Sequence, residues 1–126
     1  MDIKKYDVLI VEDSIYAADL NIRQLRRAGF TVEYQIVEDG KGMGEALQKH
    51  WDLILSDHSL PGFSALKALE LRNKIAAETP FLIVTEQITE QDMNTAWSQG
   101  CTGCVLKAEL HQLRDWIFKL WSVGLQ

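Results

Sequence analysis

Short apolar runs alternate with stretches of helical periodicity along the whole chain. Val8-Leu9-Ile10-Val11 is apolar at every position, which suits a strand buried on both faces. Behind it Ile15, Ala18, Ile22 and Leu25 recur at helical spacing and predict a helix over Ser14 to Ala28. Arg26 and Arg27 favour its C-terminal end, where cations meet unpaired carbonyls, and Gly29 stops it. The same alternation then recurs. Thr31 to Ile36 reads as a strand, 41–49 as a weak helix punctuated by glycine, and Leu53-Ile54-Leu55 as a strand. Pro61-Gly62 marks a loop, after which Ala65, Leu66, Leu69 and Ile75 suit a third helix. Phe81 to Val84 is a strand, Thr89 to Gln99 a helix, Cys104 to Leu106 a strand, and Leu110 to Trp121 a final helix.

Five such units predict an α/β fold with a mostly parallel sheet and helices on both faces, because parallel strands require crossover connections. Ligands of these sheets collect at the C-terminal ends of the strands. The residues immediately after each apolar run are therefore the ones to read for chemistry.

Composition narrows the setting. With 126 residues, 47% of them hydrophobic, the chain is expected to form one domain over 1–126, stable without disulfide or metal staples. Its longest apolar runs have four residues, against about 20 for a membrane helix and about 7 to 15 for the core of a signal peptide. A cytoplasmic protein with no membrane span is the expectation. The net charge of −5 argues against direct nucleic-acid binding, which normally needs a basic face. Cys101 and Cys104 are too few for a disulfide framework and fit a reducing compartment.

Four of the strands run into chemically pointed residues. Glu12-Asp13 follows the first, Asp57 the third, Thr85 the fourth and Lys107 the fifth. Singly, each has an ordinary explanation, since an acid or hydroxyl after a strand is most often a helix cap. Together they should converge on one crevice. Three carboxylates at one edge raise one another's pKa unless a cation neutralises them. Oxygen ligands on short side chains, without His or Cys, point to Mg²⁺. Lys107 and Thr85 would then offer a charge and a hydroxyl to phosphoryl oxygens. Metal, acid, hydroxyl and ammonium together suggest phosphoryl transfer.

With those residues in family order and spacing, and with the segment Leu53-Ile54-Leu55-Ser56-Asp57-His58-Ser59-Leu60-Pro61-Gly62 between them, the chain resembles the receiver domains of two-component response regulators. The resemblance covers nearly its whole length. It implies a flavodoxin-like doubly wound sheet of five parallel strands in the order 2-1-3-4-5, with five helices. It also implies that Asp57 accepts a phosphoryl group from a histidine kinase or phosphotransfer protein. Asp13 and Asp57 would bind Mg²⁺ through carboxylate oxygens, Ser59 through its backbone carbonyl and Glu12 through water, with Thr85 and Lys107 completing the site. Such a domain promotes its own phosphorylation and dephosphorylation and turns over no external substrate. A finer resemblance, carried by 81–90 and 105–110, is to N-terminal receivers of hybrid sensor and PAS-containing proteins. It implies an output domain in cis; separately, the apolar arc of the last helices allows pairing of two copies through them.

The chain departs from the family pattern at three places. Cys104 stands where an aromatic residue usually precedes the lysine by three positions, so the customary aromatic switch is missing and weaker output coupling is expected. Glu86 follows Thr85 where a small residue is usual; it either narrows the pocket and repels a phosphodonor or points to solvent. Ala108 replaces the proline that commonly follows the lysine, so the Lys107–Ala108 bond is either trans or strained.

The remaining signals have plainer readings. Cys101-Thr102-Gly103-Cys104 precedes a strand and lacks partner ligands, so buried thiols are expected in preference to a redox pair or zinc site. Asp57-His58-Ser59 cannot form a catalytic triad from sequence neighbours, and His58 is expected to face solvent. Trp97, Trp116 and Trp121 widen the apolar arc of the last two helices, serving either a partner surface or packing over the sheet edge. A haloacid-dehalogenase-type phosphatase would want a second Asp two residues after its nucleophile, where Ser59 and Ile15 stand. A flavodoxin-like cofactor binder would want a phosphate loop in place of Glu12-Asp13-Ser14. A receiver silent in phosphorylation, acting only as an interaction module, is the remaining alternative.

Overall fold

The computed structural model describes residues 4–121. The expected 1–126 domain thus extends at both ends beyond the described residues. Five strands form the sheet: β1 (Lys5–Val11), β2 (Thr31–Val37), β3 (Leu53–Ser56), β4 (Phe81–Thr85) and β5 (Gly103–Leu106). All neighbouring strands are parallel, in the order β2-β1-β3-β4-β5, the topology implied by the resemblance. Helices α1 (Ile15–Arg27), α2 (Gly40–Ala46), α3 (Ala65–Ile75), α4 (Glu90–Ser98) and α5 (Gln112–Trp121) make the crossovers and close the fold.

The period of two along a strand sends successive side chains to opposite faces, and the inner strands have apolar residues for both. Leu9, Val11, Ile54, Phe81 and Ile83 pack with Met43, Ala68, Leu69 and Ala96 under α2, α3 and α4. Val8, Ile10, Leu53, Leu55, Leu82, Val84 and Val105 pack with Ile22, Leu25, Leu113 and Ile117 under α1 and α5. Two cores on one sheet leave its strand ends as the place for polar groups.

Helix termini follow their capping chemistry. Ser14, Asp39, Ser64 and Thr89 accept from backbone amides at the starts of α1 to α4. Gly29 ends α1 at φ 99°, a left-handed backbone that suits glycine. The weak helix expected over 41–49 is shorter than its pattern. At its end the Ala46 carbonyl accepts both the Lys49 amide, in an i to i+3 bond at 3.3 Å, and the indole Nε1 of Trp51 at 2.8 Å.

The aromatic arc of α5 is largely spent on packing. Trp121 is buried and stacked on Tyr6 at 4.0 Å between ring centroids. Trp116 lies against Gly103, where a Cβ would fall 2.4 Å from its ring. Trp97 and Phe118 remain exposed. Among the described residues, no helix is long and apolar enough to cross a membrane.

Candidate functional site

Four neighbouring strands, β1, β3, β4 and β5, aim their ends at one place. Parallel pairing carries past the end of β1, where the Glu12 amide donates to Val37 O, and past β3, where the Asp57 amide donates to Val11 O, both at 2.9 Å. Glu12 and Asp57 are thereby held side by side at the top of the sheet. Both are buried, whereas Asp13, one residue further on, is exposed.

Asp57 is engaged at both oxygens. Its Oδ1 accepts from the Ser59 amide at 3.1 Å and the Thr85 hydroxyl at 3.0 Å. Its Oδ2 lies 3.0 Å from Lys107 Nζ, which also lies 3.4 Å from Glu12 Oε1. Thr85 Oγ1 is 3.3 Å from the Gln87 carbonyl as well, so the first residues of the β4–α4 loop curl over the same hydroxyl. Lys107 opens a 3-10 turn, Lys107–Glu109. No peptide bond among the described residues is cis, so the Lys107–Ala108 bond is trans and the lysine reaches both acids without that strain.

The charges explain one another. Burial, then the neighbouring Asp57 carboxylate, lifts Glu12 to about 7, against a smaller opposing pull from Lys107. Burial also pushes Asp57 upward, but hydrogen bonds from Glu12, the Ser59 amide and Lys107 outweigh it and hold Asp57 down at about 2. Burial disfavours the Lys107 ammonium, yet Asp57 and then Glu12 hold it above its ordinary value. Of the two carboxyls, Glu12 is the one whose proton is held more tightly.

A cleft of about 530 Å³ opens onto this cluster, lined by Glu12, Asp13, Asp57, Ser59, Glu86 and Lys107 among others. Every residue expected at the site except Thr85 lines this opening; Thr85 is fully buried beneath it and reaches Asp57 through its hydroxyl. Glu86 is exposed, as its solvent-facing reading expects, and it also lines the cleft. Sequence reasoning missed Gln87, which enters through its carbonyl, and Tyr16, an exposed ring on the cleft wall. A backbone acceptor leaves no mark in residue type.

His58 differs from expectation. Its side chain is 13% exposed and its Nε2 lies 2.9 Å from Asp92 Oδ2 on α4. An acidic partner 34 residues away draws the ring off the solvent and against the helix. The cysteines behave as expected: Cys101 is buried and Cys104 half-buried, both free, and burial lifts both thiols, Cys104 to about 11.

Among the described residues, no three acidic, His or Cys side chains close into a cage for a metal ion. Mg²⁺ does not ask for one, because it keeps several waters and takes one or two carboxylates. The donor set of Glu12, Asp13, Asp57 and the Ser59 carbonyl suits that habit, with oxygen donors only and a buried acid that lacks a full counter-charge.

A family model described as Response regulator receiver domain matches residues 8–117. Among curated proteins, the transcription factor SKN7 of Saccharomyces cerevisiae is 32% identical over 105 residues, 82% of this chain and 17% of that protein. Hybrid signal transduction histidine kinase G of Dictyostelium discoideum is 29% identical over 124 residues, 94% of this chain and 4% of that protein. The chain thus spans less than a fifth of either relative. Among solved structures, the chemotaxis protein CheY4 of Vibrio cholerae superposes with a TM-score of 0.76 at 24% identity, covering 93% of this chain and 99% of that one. The receiver domain of a sensor histidine kinase from Pseudomonas aeruginosa, with a magnesium ion coordinated in its active-site cleft, gives a TM-score of 0.75 at 19% identity, covering 93% of this chain and 98% of that one. At these identities the superpositions show the shared fold.

Proposed function

The chain belongs to the response regulator receiver domain family, and we propose that Asp57 is its phosphoacceptor, served by a histidine kinase or phosphotransfer protein. The observation that carries this reading is the engagement of Asp57 from two sides, by Lys107 at one oxygen and Thr85 at the other, on the floor of an open cleft. A carboxylate held well below its usual range is unprotonated at neutral pH and available as a nucleophile.

In the transfer, a carboxylate oxygen of Asp57 forms a bond to phosphorus as the bond from phosphorus to the donor imidazole breaks. The imidazole leaves with the electron pair and takes a proton. Lys107, already oriented towards Asp57 Oδ2, places its charge where the phosphoryl oxygens arrive, and Thr85 offers a hydroxyl donor there. Glu12, Asp13, Asp57 and the Ser59 carbonyl would hold Mg²⁺. Bound there, the ion would neutralise charge on the transferring group.

On this reading the domain promotes only its own phosphorylation and dephosphorylation, in the cytoplasm. It passes the signal to an output domain in cis or to a second copy. The phosphorylation-silent alternative would leave the pairing of Lys107 and Thr85 with Asp57 without a use.

Intact-mass spectrometry after incubation with Mg²⁺ and a small-molecule phosphodonor tests the proposal. One added phosphoryl group is expected in the wild type and none in Asp57→Ala. No addition to wild type shown separately to bind Mg²⁺, or addition that persists in Asp57→Ala, overturns it.

A further inference from the structure

The β3–α3 loop grips α4 through a contact that phosphoryl chemistry does not need. His58 follows Asp57 directly, yet its ring lies outside the cleft and meets Asp92 on α4. Beside the pair is a second cavity of about 290 Å³, lined by His58, Ser59, Gln87, Ile88, Thr89 and Asp92. Ser59 and Gln87 line both cavities. The two openings therefore adjoin at Ser59 and Gln87, each two residues beyond Asp57 and Thr85.

Helix α4 is weakly anchored. Ala96 is its one buried residue, whereas α1 and α3 each bury four. Its first turn, Glu90 to Asp92, buries nothing and is capped by the Thr89 hydroxyl, which accepts from the Asp92 amide at 3.0 Å. Segments with few buried contacts open locally at low cost. Besides Ile88 and Met93, which pack partly buried against the core, a circuit of named links holds this turn against the sheet end. Thr85 bonds Asp57, the loop runs from Thr85 to the Thr89 cap, and Asp92 on the capped turn bonds His58, the residue next to Asp57.

The His58 ring is not held by saturation of its own hydrogen bonds. Its Nδ1 is buried without a partner among the described residues, an unfavourable condition for a polar atom. The ring stays in place because Asp92 holds the other nitrogen.

We propose that His58 and Asp92 form a latch that positions the first turn of α4 on the phosphoacceptor loop and makes α4 respond to the state of Asp57. A phosphoryl group on Asp57 competes for the Thr85 hydroxyl and pulls on one end of the β4–α4 circuit. The latch holds the other end to residue 58, so the change is delivered to α4 and not lost in a slack loop. The latch itself stands on the geometry; its part in signalling rests on Asp57 being the phosphoacceptor.

Hydrogen exchange across residues 90–95 of the full chain separates the two. In the unmodified protein, His58→Ala and Asp92→Ala should each speed exchange there by about tenfold, the equivalent of one charge-assisted hydrogen bond. The double variant should go no further, because both substitutions remove one interaction. Asp92→Asn keeps an acceptor for the ring but not its charge and should restore part of the protection. Glu90→Gln removes a carboxylate from the same turn without touching the latch and should change exchange far less than either latch variant. Unchanged exchange in either single variant, or additive effects in the double, overturns the latch. In the second arm, phosphodonor and Mg²⁺ are added. The wild type should take up a phosphoryl group and change its exchange over 90–95, and His58→Ala should take it up without that change. Equal changes in both overturn the coupling. No uptake by the wild type overturns the phosphoacceptor reading and the signalling role with it, while the first arm still decides the latch.

Discussion

Lys107 Nζ stands 3.0 Å from Asp57 Oδ2 across fifty residues of chain, and the same ammonium reaches Glu12 at 3.4 Å. One cation serves two buried carboxylates. The shortfall appears on Glu12, which burial and Asp57 lift from 4.5 to about 7. A group raised in this way contributes stability below its unfolded value, and that contribution is lost as pH rises through the folded one. Asp57, lowered from 3.8 to about 2, contributes in the opposite sense, above 3.8 and lost towards 2.

Mg²⁺ binding should therefore expel a proton near neutrality. At pH 6 Glu12 is mostly protonated, and a cation entering the cleft displaces that proton. Calorimetric titration at pH 6 in buffers of different ionisation enthalpy should show a buffer-dependent heat that fades by pH 8.5, with tighter binding at the higher pH. Heat independent of buffer at pH 6 would show that Glu12 is already charged.

Glu86 should slow phosphorylation. Its carboxylate is exposed at the rim of the cleft that holds Asp57, and a phosphodonor arrives as an anion. Replacing Glu86 by Ala should speed modification by a small-molecule donor roughly threefold at low ionic strength, with the gain shrinking in salt as the Debye length falls to about 3 Å at 1 M. An equal rate in the two proteins would mean that the rim charge is screened.

The site was legible in the sequence for a physical reason. Parallel strands deliver whatever follows them to one sheet edge, so Glu12, Asp57, Thr85 and Lys107 could be gathered from four separate apolar runs. Both faces of the inner strands are buried, which made those runs continuous and easy to see. What escaped depends on contacts without a local signature. His58 gave no hint of Asp92, because the pairing depends on where α4 lands. The early end of α2 comes with i to i+3 bonds after Ala46 and a Trp51 indole seated on the same carbonyl. The tryptophans of α5 looked like surplus until Tyr6 and Gly103 supplied their seats.

Both thiols should be sluggish. Burial raises Cys101 and Cys104, the latter to about 11, and the thiolate is the reactive form. At pH 8 a thiol reagent should modify the native protein at least tenfold more slowly than the urea-unfolded chain. Between pH 9 and about 11 the fold should also lose stability, because the unfolded chain ionises these thiols first. Rapid reaction of the native protein at pH 8 would contradict this burial.

Gly103 should tolerate no side chain. It opens β5 with the Trp116 ring against it, and a Cβ there would lie 2.4, 2.6 and 2.8 Å from three ring atoms. Its backbone is ordinary strand, unlike that of the positive-φ glycines Gly29, Gly62 and Gly100, so the demand is for space and not for conformation. Gly103→Ala must push the indole, and with it α5, away from the sheet, at a cost of about 1 to 3 kcal/mol. Urea unfolding should show the lowered midpoint at unchanged slope. Trp116→Leu in the Gly103→Ala background should recover part of the loss, since a smaller side chain removes the collision. Recovery distinguishes steric conflict from a backbone effect, because the loss would persist if alanine disturbed β5 itself. The outcome bears on the site as well, since Gly103 opens the strand that runs into Lys107, the partner of Asp57.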